Sequence, residues 1–417
     1  MFRRKLAWRS VALLSVAALA LGACGEDEPG DTDDTPGEQF EGTFTIGAIL
    51  PTTGGLADYG RGMIAAVELA IQDINEAGGV WGNDVQFLQE NEGPSTEPDV
   101  VTAAADAMIA QEVNAVIGAA SSSSSETIME ALYNQRIIMV SPSNTGPGFT
   151  GHEFGEYYFR TAPSDVIQGS ALAEEIIADG HATLGILAQQ TAYGQGLSQQ
   201  IADVYSAGGG QVVYQEFYDE AQTEFSAEVA QLVEADPDAF VLISYAEARQ
   251  IIPALVGQGF TPAEKQWYFV DGNRLDYSED PFEEGLLEGV KATQPIGSGE
   301  DVIPRVEEFY GGPTPETAYL PESYDATILV ALAAIAANSD DPDAIRAEMV
   351  GVTTGGTECT TFAECKELLE NGEDINYRGY TGTVWNEEGD PAEATIGIFE
   401  YGADNNFTQV KEVVGRM

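Results

Sequence analysis

From Thr43 onward the apolar positions fall into short runs separated by amphipathic stretches. "TFTIGAIL" is an apolar run of strand length, the pattern of a strand covered on both faces. "RGMIAAVELAIQDINEAGG" then places Met63, Val67, Ala70, Ile71 and Ile74 on one helical face, and Gly78 and Gly79 end it. The alternation continues through the strand "VQFLQE", the helix "DVVTAAADAMIAQ", the strand "NAVIGA", the helix "ETIMEALYNQ" and the strand "IIMVS". Strands alternating with helices predict right-handed βαβ units around a parallel sheet.

After "RTAPSDVIQG" the pattern restarts. A helix over Ser170–Ala178 is followed by the strand "ATLGILA", a helix from Tyr193, the strand "QVVYQEF" and the helix "FSAEVAQLVEA". The strand "AFVLISY", the helix "ARQIIPALVGQG" and the strand "QWYFV" complete a second series, which predicts a second α/β lobe. Beyond Lys291 the pattern is mixed, with helices near Val302–Phe309 and Ser323–Ala337. "GYTGTVWNEEGDPAEATIGIFEY" alternates with period two around Asn386-Glu387-Glu388-Gly389, which predicts a β-hairpin there.

Length and composition fit this picture. A chain of 417 residues suggests two or three domains, and 43% hydrophobic residues suffice for full cores. Charge narrows the function. With 17 basic against 69 acidic residues, a formal −52, the chain has no basic footprint for nucleic acid. Such acidity is either a solubility device or an adaptation to a saline exterior that screens self-repulsion, and scarce lysine favours the latter.

The amino terminus reads as an address. Arg3, Arg4 and Lys5 precede the apolar "SVALLSVAALALG", which is shorter than the roughly 20 residues of a membrane span. The following "LGAC" resembles the bacterial lipobox, which implies cleavage before Cys24 and lipidation of it; the alternative is an ordinary signal peptide that contains a cysteine. Loss of residues 1–23, with four basic residues and no acid, brings the formal charge to −56. Residues 24–42, rich in acids, Pro, Gly and Thr, read as a solvated, disordered tether. Cys359 and Cys365 then remain, an isolated close pair that reads as a disulfide in an oxidising compartment.

No catalytic signature emerges: G-x-S-x-G, H-E-x-x-H and a Walker loop are all missing, and the only histidines are His152 and His181. Neither a cofactor nor a metal is expected. Binding features are better developed. In an open α/β sheet, ligands sit beyond the carboxyl ends of the strands. "IGAASSSSSE" leads from strand to helix, where hydroxyls and the first helical N–H groups can cradle a carboxylate. "VSPSNTGPG" adds Ser143, Asn144 and Thr145 after the next strand. "FVDGNR" puts Asp271 at a strand end of the second lobe, where it can take an ammonium. A serine run at a helix start can equally be a cap, and the two readings stand side by side. Tyr59, Tyr193, Tyr245 and Tyr319 are either pocket walls or ordinary core aromatics.

Over nearly its full mature length the chain resembles the type I periplasmic binding proteins of branched-chain amino-acid ABC transporters. The resemblance rests on "IGAILPTTGGLADYGRGMIAAVELAIQDINEAGGVWGNDVQ", "AVIGAASSSSS", "IIMVSPSNTGPGFT", "FRTAPSDVIQG", "AYGQGLS", "EFSAEVAQL", "YFVDG", "PESYDA" and "GYTGTVWNEEGD" in this order. It implies two Rossmann-like lobes with parallel sheets, residues 43–162 plus 294–378 and 163–293 plus 379–417, joined by three hinge crossings around a cleft. By motif position, Ser122 and Thr145 would bind a ligand carboxylate, with Ser121 in place of Ser122 if the run slides by one. Ser143 would offer its backbone carbonyl to the ammonium, Asp271 would be the acidic partner, and the four tyrosines would line the side-chain pocket. Two departures stand out: Asp271 occupies a position where many relatives carry Glu, and Gln189 and Gln190 occur where an acid often starts the motif. The expectation is a monomeric, non-enzymatic, extracytoplasmic lipoprotein that captures an amino acid, branched-chain or otherwise hydrophobic, and delivers it to an ABC permease. The alternative ligands are an amide, urea or an aromatic acid, for transport or sensing.

Overall fold

The computed structural model describes residues 40–278, 282–297 and 302–417. The signal segment, Cys24 and most of the tether lie outside the described residues.

The first half runs β1 (Thr45–Leu50), α1 (Ala57–Glu76), β2 (Gln86–Asn91), α2 (Pro98–Ala110), β3 (Ala115–Gly118), α3 (Ser122–Asn134), β4 (Ile138–Ser141) and β5 (Tyr158–Arg160). The strands form a parallel sheet ordered β2-β1-β3-β4-β5. The period-two geometry of a strand sorts its side chains onto two covered faces. Ile46, Ala48 and Leu50 pack with Met63, Val67, Ala70 and Ile74 of α1, while Ile49 faces Val101, Met108, Ile128 and Leu132 on the other side. Each Val, Leu, Ile or Met side chain among them contributes about 1.5–3 kcal/mol on burial, and each alanine less.

The chain then crosses to a second sheet. Its elements are α4 (Asp165–Ala178), β6 (Thr183–Gln189), α5 (Ala192–Ala207), β7 (Gln211–Tyr218), α6 (Ser226–Ala235), β8 (Ala239–Ile243), α7 (Ala248–Gly257), β9 (Gln266–Phe269) and β10 (Lys291–Ile296). After β10 it returns to pack α8 (Ile303–Tyr310), α9 (Leu320–Ala337), α10 (Pro342–Met349) and α11 (Phe362–Glu370) with the first half, joined by the small parallel pair β11 (Thr357–Cys359) and β12 (Ile375–Tyr377). It crosses a third time to add β13 (Glu393–Tyr401) and β14 (Phe407–Arg416) to the second sheet. α9 is long and apolar enough to span a membrane by composition, but it is buried as the core helix beside α1.

Three features differ from the sequence expectation. The second sheet, ordered β14-β13-β10-β9-β8-β6-β7, is parallel only from β7 to β10; β13 and β14 are antiparallel. A lobe boundary at 294 falls inside β10, which continues in that sheet to Ile296. The hairpin expected within residues 379–401 is displaced. Around Asn386–Gly389 only a turn and the isolated Trp385–Pro391 bridge form, and the hairpin is β13–β14 instead. The period-two signal near Trp385 marks anchoring of the crossing: Trp385 Nε1 donates to the Arg160 carbonyl at 2.6 Å, and Asp390 pairs with buried Arg160. β14 carries no clear apolar signal because it is an edge strand with mostly exposed polar residues. The Cys359–Cys365 disulfide is present.

Candidate functional site

Carboxyl ends of strands from both sheets converge on one cavity. About 360 Å³ of empty space, part of it open to solvent, is lined by Leu56, Tyr59, Met63, Ala120, Ser122, Ser143, Thr145, Tyr193, Tyr245, Asp271, Gly272 and Tyr319. Eight of the candidate binding residues meet here, and neither histidine does. Ser121 and Asn144 do not line it. Asn144 turns inward, donating to the Ala120 carbonyl at 2.8 Å and accepting from Tyr158 at 3.0 Å, so it braces the loop.

The serine run divides its labour. Ser121 is the N-cap of α3 by position, but its side chain makes no capping hydrogen bond. Buried Glu92 takes the Ala120 and Ser121 N–H groups at 2.7 and 2.8 Å, so those donors face the core rather than a ligand. Burial pushes its carboxyl up to about 7, against the pull of these two hydrogen bonds and of nearby Ser124. Ser122 reaches the cavity, where its hydroxyl accepts weakly from Gly146 N–H at 3.4 Å. Ser123 crosses the cleft and accepts from the N–H of Ala192 at 3.1 Å. Ser125 bonds back to the Ala119 carbonyl.

Arg160 braces the neighbouring loop. Fully buried and paired with Asp390 at 2.5 Å, it donates to the carbonyls of Asn144 and Gly146 at 3.1 and 2.8 Å. These bonds fix the loop that carries Ser143 and Thr145. Ser143 spends its hydroxyl on the Ala120 carbonyl at 3.0 Å.

The acidic end is centred on buried Asp271, just beyond β9. Its Oδ1 accepts from Tyr193 and from Gln168 Nε2, both at 2.7 Å; its Oδ2 accepts from Tyr319 at 2.5 Å. Its carbonyl accepts from Tyr59 at 3.0 Å. A carboxylate has about four acceptor positions, so one on Oδ2 remains for an ammonium. Tyr59 and Tyr319 come from the first half of the fold, so these bonds span the cleft. Tyr319 sits at φ +64°, a left-handed conformation that costs a bulky residue about 1–3 kcal/mol. Tyr245 stacks on Tyr193, with ring centroids 5.4 Å apart. Gly272 permits this closeness: a Cβ there would lie 2.7 Å from the Ser244 carbonyl and 3.0 Å from the Tyr193 hydroxyl.

Residues 43–364 match the profile of the periplasmic binding proteins. The chain belongs to that family. It is therefore a solute-binding protein of a family named for the periplasm, outside the cytoplasm. It is 26% identical over 360 residues to the chemotactic signal transduction substrate-binding protein BasB of Halobacterium salinarum, covering 82% of each chain. It is 24% identical over 372 residues to the Leu/Ile/Val-binding protein of Escherichia coli K12, covering 88% of this chain and 93% of that one. Among solved structures, a leucine-binding protein of Thermotoga maritima superposes with TM-score 0.72 at 22% identity, covering 89% of this chain and 98% of its own. A 4-hydroxybenzoate complex of a solute-binding protein from R. palustris superposes at 0.70 with 15% identity, covering 89% and 97%. These likenesses establish the two-lobed fold.

Sequence reasoning missed Asp165 and Gln168, which stand one turn apart on α4; Gln168 donates to both Asp165 and Asp271. Their i, i+3 spacing in "SDVIQG", after the Ser164 N-cap, was the available signal.

Proposed function

We propose that this binding protein captures an α-amino acid, branched-chain or otherwise hydrophobic, by its zwitterionic end. One observation carries the reading: Asp271 is the single formally charged residue among the twelve that line the cavity. A simple carboxylate such as a benzoate would meet this acid with no basic side chain to offset it. A zwitterion brings its own ammonium to Asp271, while its carboxylate faces the hydroxyls of Ser122 and Thr145. Leu56, Met63 and the tyrosines receive an apolar side chain. The relatives named for leucine, isoleucine and valine support the same ligand class. Cys24 supplies the lipid anchor in this reading, and the closed form docks as a monomer on an ABC permease. The likeness to BasB supports a second destination, delivery to a chemosensory receptor.

A thermal-shift screen of the mature protein against amino acids, amides and aromatic acids tests the ligand class. A true ligand at ~100 times its dissociation constant adds about 2.7 kcal/mol of stability. Asp271→Ala should weaken L-leucine binding at least ~10-fold in calorimetry, because it strips a buried charge-assisted partner. Stabilisation by benzoates alone, or unchanged leucine affinity in the variant, would refute the reading.

A further inference from the structure

Two buried acids share one amide beside the cavity. Gln168 Nε2 lies 2.9 Å from Asp165 Oδ1 and 2.7 Å from Asp271 Oδ1, so its two protons serve one acid each. Asp165 is also tied to the other end of the site. Its N–H donates to the Thr145 carbonyl at 2.6 Å, and the Thr145 hydroxyl lies against its carboxyl group. Asp165 Oδ2 and Gln168 Oε1 are both buried without a hydrogen-bond partner. A continuous path thus joins Asp271, Gln168, Asp165 and Thr145.

Thr145 has a single hydroxyl proton to give. An ionised Asp165 accepts only and would capture that proton, leaving Thr145 to present lone pairs to an incoming carboxylate. A protonated Asp165 no longer claims that proton and can offer its own to Thr145 Oγ1, so the threonine proton turns into the cavity. Oδ2 has no donor to stabilise a negative charge, and a buried charge without a partner costs more than a buried neutral acid. The surroundings favour this state. Asp271 faces Asp165 across Gln168, and the hydroxyls of Tyr193 and Tyr319 lie on the same side. The cation in range, Arg160, is already engaged by Asp390 and two carbonyls. Burial, reinforced by the charge of Asp271, pushes the Asp165 carboxyl well above the ordinary carboxylate range.

We propose that Asp165 is the proton-carrying positioning residue of the site: it turns the Thr145 hydroxyl toward the ligand carboxylate, and Gln168 couples it to the ammonium acceptor Asp271. The ligand-facing half of this proposal rests on the amino-acid reading; the proton on Asp165 does not.

The test combines spectroscopy and binding. In ligand-free protein at neutral pH, the infrared difference between wild type and Asp165→Asn should contain the carbonyl band of a protonated, buried carboxylic acid. The side-chain amide that Asp165→Asn introduces keeps a donor toward Thr145, so L-leucine affinity should stay within about 3-fold of wild type, whereas Asp165→Ala should lose at least ~10-fold. Calorimetry in buffers of different ionisation enthalpy should show wild type taking up more protons than Asp165→Asn on binding leucine at the same alkaline pH, the remainder coming from the leucine amine and other groups. Three results would overturn the proposal: a missing band, an Asp165→Ala variant that binds like wild type, or an Asp165→Asn variant as damaged as Asp165→Ala. A band without any leucine binding by wild type would instead refute the amino-acid reading and leave the proton assigned.

Discussion

Glu220 illustrates how much one carboxyl group can depend on its neighbours. It follows β7 of the second sheet and accepts from the Ser95 hydroxyl, which belongs to the first half of the fold. Burial pushes it up to about 8, and Glu247, Glu92 and Asp219 add repulsion. An acid raised in the folded form holds its proton there more tightly than in the unfolded chain, where carboxyls titrate near about 4.3. Its favourable contribution is therefore full at acid pH and declines as pH rises through about 8. Melting temperature should fall between about pH 4 and 8, and Glu220→Gln should flatten the decline. Parallel pH profiles for variant and wild type would show that other groups dominate. Among single residues, Asp271, Ser122 and Thr145 are visible in the sequence because each stands in a recognisable strand-end motif, while the four tyrosines come only with the resemblance to the family. Glu92 and Glu220 act through partners remote in sequence, and no local pattern marks them; Asp165 and Gln168 show only their i, i+3 spacing, which does not reveal the bond to Asp271, 103 positions from Gln168.

At the level of elements, helix and strand periodicity is legible wherever both faces are covered. β1, β3, β4 and β8 are almost wholly buried, and their apolar runs announce them. The carboxy-terminal hairpin escapes because β14 is an exposed edge, where polar residues cost nothing. The serine run shows the opposite limit. Its place at the start of α3 is readable, but the hydroxyls of Ser122, Ser123 and Ser125 go to different partners and those of Ser121 and Ser124 to none, which only packing assigns. The disulfide links the end of β11 to α11, a small closed loop beside α9 and away from the cavity. Constraining such a loop in the unfolded chain is worth about 2 kcal/mol. The double replacement Cys359→Ser, Cys365→Ser should lower denaturation free energy by about that amount while leucine affinity holds. An unchanged denaturation midpoint would contradict this entropic account.

For the whole molecule the dominant quantity is the formal charge of −52. Exposed ion pairs such as Arg61–Asp58 are worth only about 0–1 kcal/mol each, and salt weakens them. Repulsion among the far more numerous acids works the other way, and salt relieves it as the Debye length shrinks from about 10 Å at 0.1 M to about 3 Å at 1 M. The net prediction is that melting temperature rises with sodium chloride over that range. A flat or falling response would mean that ion pairs outweigh self-repulsion. The two α/β series, the acidity, the cysteine pair and the strand-end residues are all written in the chain alone. They are local or additive properties, set by spacing of about 2 or 3.6 residues or by simple composition. Folding in three dimensions was needed to choose which serine faces the cavity, to converge three tyrosines on Asp271, and to make Asp165 and Asp271 share Gln168. Those are contacts between segments up to 212 positions apart, made by the crossings that bring the strand ends of two sheets together, and no short stretch of sequence contains them.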